Sequence, residues 1–377
     1  MAKQPPEGGS RDSPPNPVGI DAEDPEAARF RGAEPFDGEG LPTGDELAYR
    51  DMVVIGASAG GVEALDRLVR GFPTELPAAV LVVLHLPAAG RSVLPEILAR
   101  AGGLPATVPQ DGERPDRGHI YVAPPDRHLL VVGQQMRLTG GPRENGHRPA
   151  IDPLFRSAAR SYGRRVVAIV LSGNLDDGAA GSRLVKERGG MVLVQDPEDA
   201  LYPDMPASAA AVTDVDALVP VADMAGRICA ALEEPLPATE EDEEVSREER
   251  DEEEELAAAE LALDGQPTEL SCPECGGPLW ERSEGPLVRF ACRVGHVFSP
   301  ESLIEQHGKE LERALWAAQR NLEERSDLYR RMARRARGKS VLQKRFTDRS
   351  ESAERHAAAV QEAIVKLTST GELEDAS

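Results

Sequence analysis

The chain has 377 residues, and 66 acidic side chains against 43 basic ones leave a formal charge of −23. Such a surplus of anions argues against non-specific binding to nucleic acid, and an aromatic content of 4 % offers few platforms for stacking bases. There is no run of 18 apolar residues and no signal-peptide pattern, so the expectation is a cytoplasmic protein without membrane insertion, built from two or three folded units.

Residues 1–49 are rich in Pro, Gly and charge and lack apolar periodicity, the composition of a disordered tail. The first ordered pattern is Met52-Val-Val-Ile-Gly-Ala-Ser-Ala-Gly-Gly-Val62. A β-branched strand runs into a turn of small residues with Ser58 at its apex, and an amphipathic segment follows. Such a turn can bring a dinucleotide pyrophosphate to a helix N-terminus. Alternatively, as G-x-S-x-G, it lifts a serine hydroxyl to the rim of a sheet. A dinucleotide site wants glycine where Ser58 stands and an acid after the second strand. The second strand, Ala79-Val-Leu-Val-Val-Leu84, ends instead in His85-Leu-Pro87. A histidine at that edge suits proton removal from a serine. The third strand, Val166-Val-Ala-Ile-Val-Leu171, is apolar throughout, as a parallel strand buried on both faces should be. It breaks into Ser-Gly-Asn-Leu-Asp176-Asp177-Gly178. Serine, histidine and an aspartate thus sit at carboxyl ends of strands, where open α/β sheets bind ligands. The expected fold is a doubly wound, mostly parallel α/β sheet over 50–235. The order Ser, His, Asp differs from that of ordinary lipases and esterases.

The blocks Ile55-Gly-Ala-Ser-Ala-Gly-Gly61, His85-Leu-Pro87, Ile120-Tyr-Val-Ala-Pro-Pro-Asp-Arg-His128, Arg148-Pro-Ala-Ile-Asp-Pro-Leu-Phe155 and Leu171-Ser-Gly-Asn-Leu-Asp-Asp-Gly178 resemble the catalytic domain of the CheB family. These are the protein-glutamate methylesterases of bacterial chemotaxis. The resemblance implies a serine hydrolase that removes methyl esters from glutamate side chains of chemoreceptor-like proteins and needs no cofactor for catalysis, and it leaves open whether glutamine is also deamidated. It implies Ser58 as nucleophile, His85 as general base and Asp177, which directly precedes Gly178, as the residue orienting the imidazole. Backbone N–H groups of Ala59 and Asn174 match the family's oxyanion donors. Where the family usually has Met-Gly this chain has Asn174-Leu175, and a positive φ there would strain a leucine. Full-length relatives carry a receiver domain before the catalytic domain, which serves phosphorelay signalling; 50 residues are too few to form one, so control by that route is not expected here.

The composition changes abruptly after the α/β region. Positions 240–255 hold twelve acidic residues and two arginines, which reads as a self-repelling acidic linker over 236–267. Beyond it, Cys272-Pro-Glu-Cys275 and Cys292-Arg-Val-Gly-His296 form a C-x2-C…C-x3-H set. Three thiolates and an imidazole complete a tetrahedral zinc shell with no open position, so the implied zinc is structural. Pro278-Leu-Trp-Glu-Arg282 and Leu287-Val-Arg-Phe-Ala291 read as two short strands between the halves, giving a zinc ribbon over 268–300. Cys229 falls on a helix expected over Asp223–Leu232. Residues 301–368 contain no Pro, keep leucines at helical spacing and read as a helical hairpin broken at Gly338, with a basic patch at Arg330–Arg337 near its tip; 369–377 is a tail. The hairpin could pair with a signalling partner. Arg127, Arg148 and Arg156 either pair with Asp126 and Asp152 or hold an acidic substrate segment, whereas His119, His128 and His147 read as structural or surface residues. Two alternatives to the esterase stand beside it: a catalytically weakened CheB-like scaffold in a chemosensory pathway, and a dinucleotide binder.

Overall fold

A computed structural model describes residues 48–86, 90, 92–236 and 265–374. The expected N-terminal tail up to 47, Pro87 and the expected linker between 237 and 264 lie outside the described residues.

In chain order, the α/β region runs β1 (Ala48–Tyr49), β2 (Met52–Ala57), α1 (Gly61–Arg70), β3 (Ala79–Leu84), α2 (Leu94–Ala101), β4 (Ala106–Thr107) and β5 (Ile120–Val122). A hairpin of β6 (His128–Val132) and β7 (Gln135–Thr139) follows, then α3 (Ile151–Tyr162), β8 (Val166–Val170), α4 (Ala179–Glu187) and β9 (Met191–Gln195). The region closes with α5 (Asp204–Val212), β10 (Ala217–Val219), α6 (Val221–Glu233) and β11 (Pro235–Leu236).

Seven strands form one sheet in the order β10-β9-β8-β2-β3-β5-β4, parallel throughout. Alternation of side chains assigns the two cores. Val53, Ile55 and Ala57 of β2 pack with Leu65 and Leu68 of α1, Leu98 of α2 and Ile228 of α6 on one face. Met52 and Val54 pack with Leu154 and Phe155 of α3, Val185 of α4 and Met205 of α5 on the other. Each fully buried Leu or Phe stabilises this arrangement by roughly 1.5–3 kcal/mol. The strand order reverses between β2 and β8, and the crevice at their carboxyl ends is where such a sheet binds ligands.

Several boundaries differ from the sequence reading. Ala48 and Tyr49 are not tail but pair antiparallel with Leu236 and Pro235, drawing the ends of the α/β region together. The ribbon begins at Gln266 rather than 268, because β12 (Gln266–Ser271) pairs with β13 (Pro278–Glu284). With β14 (Leu287–Cys292) and β15 (Val297–Phe298) these make a four-stranded antiparallel sheet instead of two strands. Helices α7 (Pro300–Arg335) and α8 (Ser340–Glu374) then form the hairpin, turning at Gly338 with φ of 89°, and α8 continues to Glu374 where a tail from 369 was expected. Ser299 caps α7, its hydroxyl accepting from the Ser302 N–H at 3.0 Å, and Pro300 occupies the first helical position. Cys229 is half-buried against the α1 side of the sheet.

Gly56 sits in the middle of the sheet where α3 begins, and a Cβ at that position would overlap the Ile151 side chain. Gly56→Ala should therefore destabilise the protein by about 1–3 kcal/mol through overpacking, read as a lower urea midpoint with an unchanged slope.

Candidate active site

Three strand ends meet at the switch point. Ser58 directly follows β2, His85 directly follows β3, and Asp177 lies in the loop between β8 and α4. The Ser58 hydroxyl lies 3.1 Å from His85 Nδ1 and can donate to it, and His85 Nε2–H can donate to Asp177 Oδ2 at 2.7 Å. The ring is thus presented with Nδ1 toward the serine and Nε2 toward the carboxylate. The elbow itself carries no left-handed serine; the positive φ falls on Gly60, at 68°, which caps α1. His147 stacks on His85 with ring centroids 3.7 Å apart and planes within 5°. The sequence reading had placed His147 among structural or surface residues, and it lies instead against the site.

Asp177 is 2 % exposed and fully hydrogen-bonded. Its Oδ2 also accepts from the Ile151 N–H at 2.7 Å, and Oδ1 accepts from the Asp152 N–H at 3.1 Å and the Asn145 side-chain amide at 3.2 Å. Burial alone would push this carboxyl upward. The hydrogen bond and charge of His85, with the Ile151 N–H, outweigh it and hold Asp177 well below the usual carboxylate range. Asp176 points elsewhere: its Oδ1 accepts from the hydroxyls of Ser299 at 2.7 Å and Ser302 at 3.2 Å.

The loop that bears Asn174, one of the two expected oxyanion donors, approaches Ser58 closely. A Cβ on Gly173 would stand 2.8 Å from the Ser58 Cβ, so only glycine permits this contact. Ser58 N–H donates to the Ser172 carbonyl at 3.0 Å, and the Ser172 hydroxyl donates to the Ala59 carbonyl at 2.8 Å. Leu175 has φ of 65°, the left-handed conformation that the Met-Gly comparison anticipated.

The three arginines in question pair with protein acids or stay exposed. Arg148 donates to Asp126 from Nε and Nη2 at 3.0 and 2.6 Å. Arg156 grips Glu144 in bidentate fashion at 2.8 and 2.6 Å, while Arg127 remains exposed. Glu144 also receives Arg289 of β14 at 2.6 Å, and the same Nη2 donates to Asp152 at 2.9 Å. Glu144, Asn145 and Arg289 escaped the sequence reading. Only the position of Asn145 and His147, just before the Arg148 block, hinted at a role.

Cys272, Cys275, Cys292 and His296 converge, their ligand atoms all within 4.8 Å of one another. Cys275 and Cys292 Sγ are 3.7 Å apart, and His296 Nδ1 lies 3.4 Å from Cys292 Sγ and 3.6 Å from Cys272 Sγ. Bonds of about 2.3 Å from a tetrahedral centre give an S···S edge of about 3.8 Å, so the four residues can hold a metal ion. None of the four cysteines is in a disulfide. Among the described residues, no helix is long and apolar enough to cross a membrane.

Burial, then the neighbouring His85, pushes His147 down to about 3. The unfolded chain binds a proton at this residue below its ordinary value of about 6.5, and the folded chain does not. The stability that depends on neutral His147 is therefore complete above pH ~6.5 and is lost as the pH falls toward ~3. His147→Gln should flatten this part of the stability profile, measured by urea unfolding across that range.

Residues 53–228 match the family model described as CheB methylesterase. A protein-glutamate methylesterase/protein-glutamine glutaminase of Methanosarcina mazei is 35 % identical over 192 residues, 49 % of this chain and 52 % of the relative. One from Rhodospirillum rubrum is 37 % identical over 187 residues, 47 % of this chain and 48 % of the relative. The crystal structure of the Thermotoga maritima CheB methylesterase catalytic domain is 30 % identical, spanning 48 % of this chain and 99 % of that one, with a TM-score of 0.47. The chain spans about half the length of the curated relatives it matches. Over residues 53–228, just under half of its length, the chain is similar to the CheB methylesterase family.

Proposed function

We propose that Ser58, His85 and Asp177 act as one hydrolytic unit that removes methyl esters from glutamate side chains of a protein substrate. The observation that carries this reading is the continuous hydrogen-bond chain from the Ser58 hydroxyl through both nitrogens of His85 to the buried Asp177. Serine at its ordinary pKa is a weak nucleophile and needs such a base. As Ser58 Oγ attacks the γ-carbonyl, its proton passes to His85 Nδ1, and Asp177 stabilises the imidazolium. The tetrahedral oxyanion is received by the Ala59 and Asn174 N–H groups, each such donor contributing on the order of 3 kcal/mol to the barrier reduction. Collapse breaks the C–O bond to the methoxy group, which leaves as methanol with the proton from Nδ1. Water, deprotonated by the same nitrogen, then attacks the acyl-enzyme, releasing glutamate and restoring Ser58. A glutamine side chain passes through the same steps with ammonia leaving, in keeping with the double name of the relatives.

A chemoreceptor-like protein fits as the substrate, and cytoplasmic chemosensory signalling fits as the setting. The left-handed Leu175 and the glycine at 173 support retention of the family's donor loop, which favours the esterase over the weakened scaffold. We assign the four-ligand cluster to one structural zinc ion held by Cys272, Cys275, Cys292 and His296, which supplies folding energy to the ribbon.

Ser58→Ala and His85→Ala should each remove most methanol release from a methylated receptor fragment, with the double variant little worse, because members of such a unit are strongly non-additive. Asp177→Asn should be severely damaging through loss of imidazole orientation. Full activity in Ser58→Ala would sink the mechanism. Metal analysis should find one zinc per chain, lost together in Cys272→Ser and Cys292→Ser; metal-free protein prepared without chelators would refute the assignment.

A further inference from the structure

The ribbon meets the α/β region at the loop between β7 and α3, whose Asn145 amide donates to Asp177. The backbone of this loop joins the ribbon sheet: Asn145 N–H donates to the Val297 carbonyl at 2.8 Å, and Glu144 forms a parallel bridge with Val297. Ser299, at the start of α7, donates its N–H to Asn145 Oδ1 at 3.0 Å. That bond fixes which way the Asn145 amide faces, since its oxygen must meet Ser299 and its NH2 must face Asp177. The Ser299 hydroxyl meanwhile draws Asp176 toward the ribbon while Asp177 is drawn toward α3, so adjacent carboxylates are pinned in opposite directions.

Arg289 completes the contact. It is 3 % exposed and bridges Glu144, at 6 %, and Asp152, at 0 %. Asp152 in turn caps α4 by accepting from the Gly178 and Gly181 N–H groups at 3.0 and 2.7 Å. A buried ion pair adds little net adhesion over a well-packed apolar contact, because desolvation offsets the attraction, but losing one partner is strongly unfavourable. Asp152 thus holds Gly178 on one side of Asp177, Ser299 holds Asp176 on the other, and the Asn145 amide holds Asp177 itself. Such a junction sets position more than strength.

We infer that the ribbon is a positioning module for the esterase: Arg289 and Ser299 fix the loop at residues 143–148, and Asn145 passes that constraint to the carboxylate of Asp177. This rests on the reading of Ser58, His85 and Asp177 as the hydrolytic unit. None of Arg289, Ser299 and Asn145 touches the reacting atoms. They act through the orientation of His85.

The decisive variant in the full-length chain is Asn145→Gly, which retains the left-handed backbone at φ of 52° and removes only the amide. It is accompanied by Arg289→Met and Arg289→Lys. The far-downfield proton NMR signal of the His85 Nε2–H, identified by its loss in His85→Ala, reads the hydrogen bond to Asp177 independently of turnover. Asn145→Gly should shift or broaden that signal and lower kcat by on the order of 10- to 100-fold, as small misplacements at a reacting centre do. KM should stay within about twofold, and the far-ultraviolet spectrum should remain that of the parent. Arg289→Met should act in the same direction and Arg289→Lys should recover part of the loss. An unchanged signal in folded Asn145→Gly overturns the inference, whatever the activity. A moved signal in a protein whose parent hydrolyses no methyl ester upholds the positioning role while removing the esterase reading.

Discussion

A carboxylate taken out of water is unfavourable by several kcal/mol unless its charge is matched nearby, and Asp177 is almost wholly buried. Its surroundings answer that cost. The first-turn N–H groups of a helix have no partner within the helix, and its N-terminal end favours negative charge. Ile151 and Asp152 open α3 and give their N–H groups to Asp177, so helix end and anion satisfy each other. His85 then finds an acceptor that cannot move, and the placement of Nδ1 beside Ser58 follows from the fixed ring. The sheet register keeps the three strand ends level, since Ala57 pairs with Leu84 and Gly56 with Val170.

The strand ends could be read in advance because strands buried on both faces are continuous apolar runs, and Ser58, His85 and Asp177 stand where such runs break. The convergence of Cys272, Cys275, Cys292 and His296 was readable because two short spacings force it. Other features had no local signature. Arg289 lies in Leu287-Val-Arg-Phe-Ala291 and reads as the polar member of an alternating strand, yet it is buried because its acidic partner lies 145 residues earlier. Glu144, Asn145 and His147 occupy a segment without periodicity, and what they contact depends on chain folded from far away. The pairing of β1 with β11 is two residues long, too short for any pattern of period two to show.

Leu175 shows how a backbone requirement outlasts the residue best suited to it. A left-handed leucine costs roughly 1–2 kcal/mol, and the loop nevertheless adopts φ of 65° there. Its carbonyl is held by the Ser208 hydroxyl at 3.2 Å, while the neighbouring Asp176 is held by Ser299 and Ser302. With contacts on both sides and Gly173 lying against Ser58, the loop is over-determined, the circumstance in which local strain persists.

The position of Arg289 so late in the chain gives the junction a temporal dimension. Ribosomes add about 5–20 residues per second and domains fold as they emerge, so the 145 residues between Glu144 and Arg289 correspond to about 7–30 s of synthesis. Once Asp177 has been added within that interval, the nascent α/β region contains Ser58, His85 and Asp177, while the arginine that bridges Glu144 and Asp152 has yet to be made. A ribosome-bound chain and a finished one thus differ at the aspartate loop even though they share every residue of the sheet.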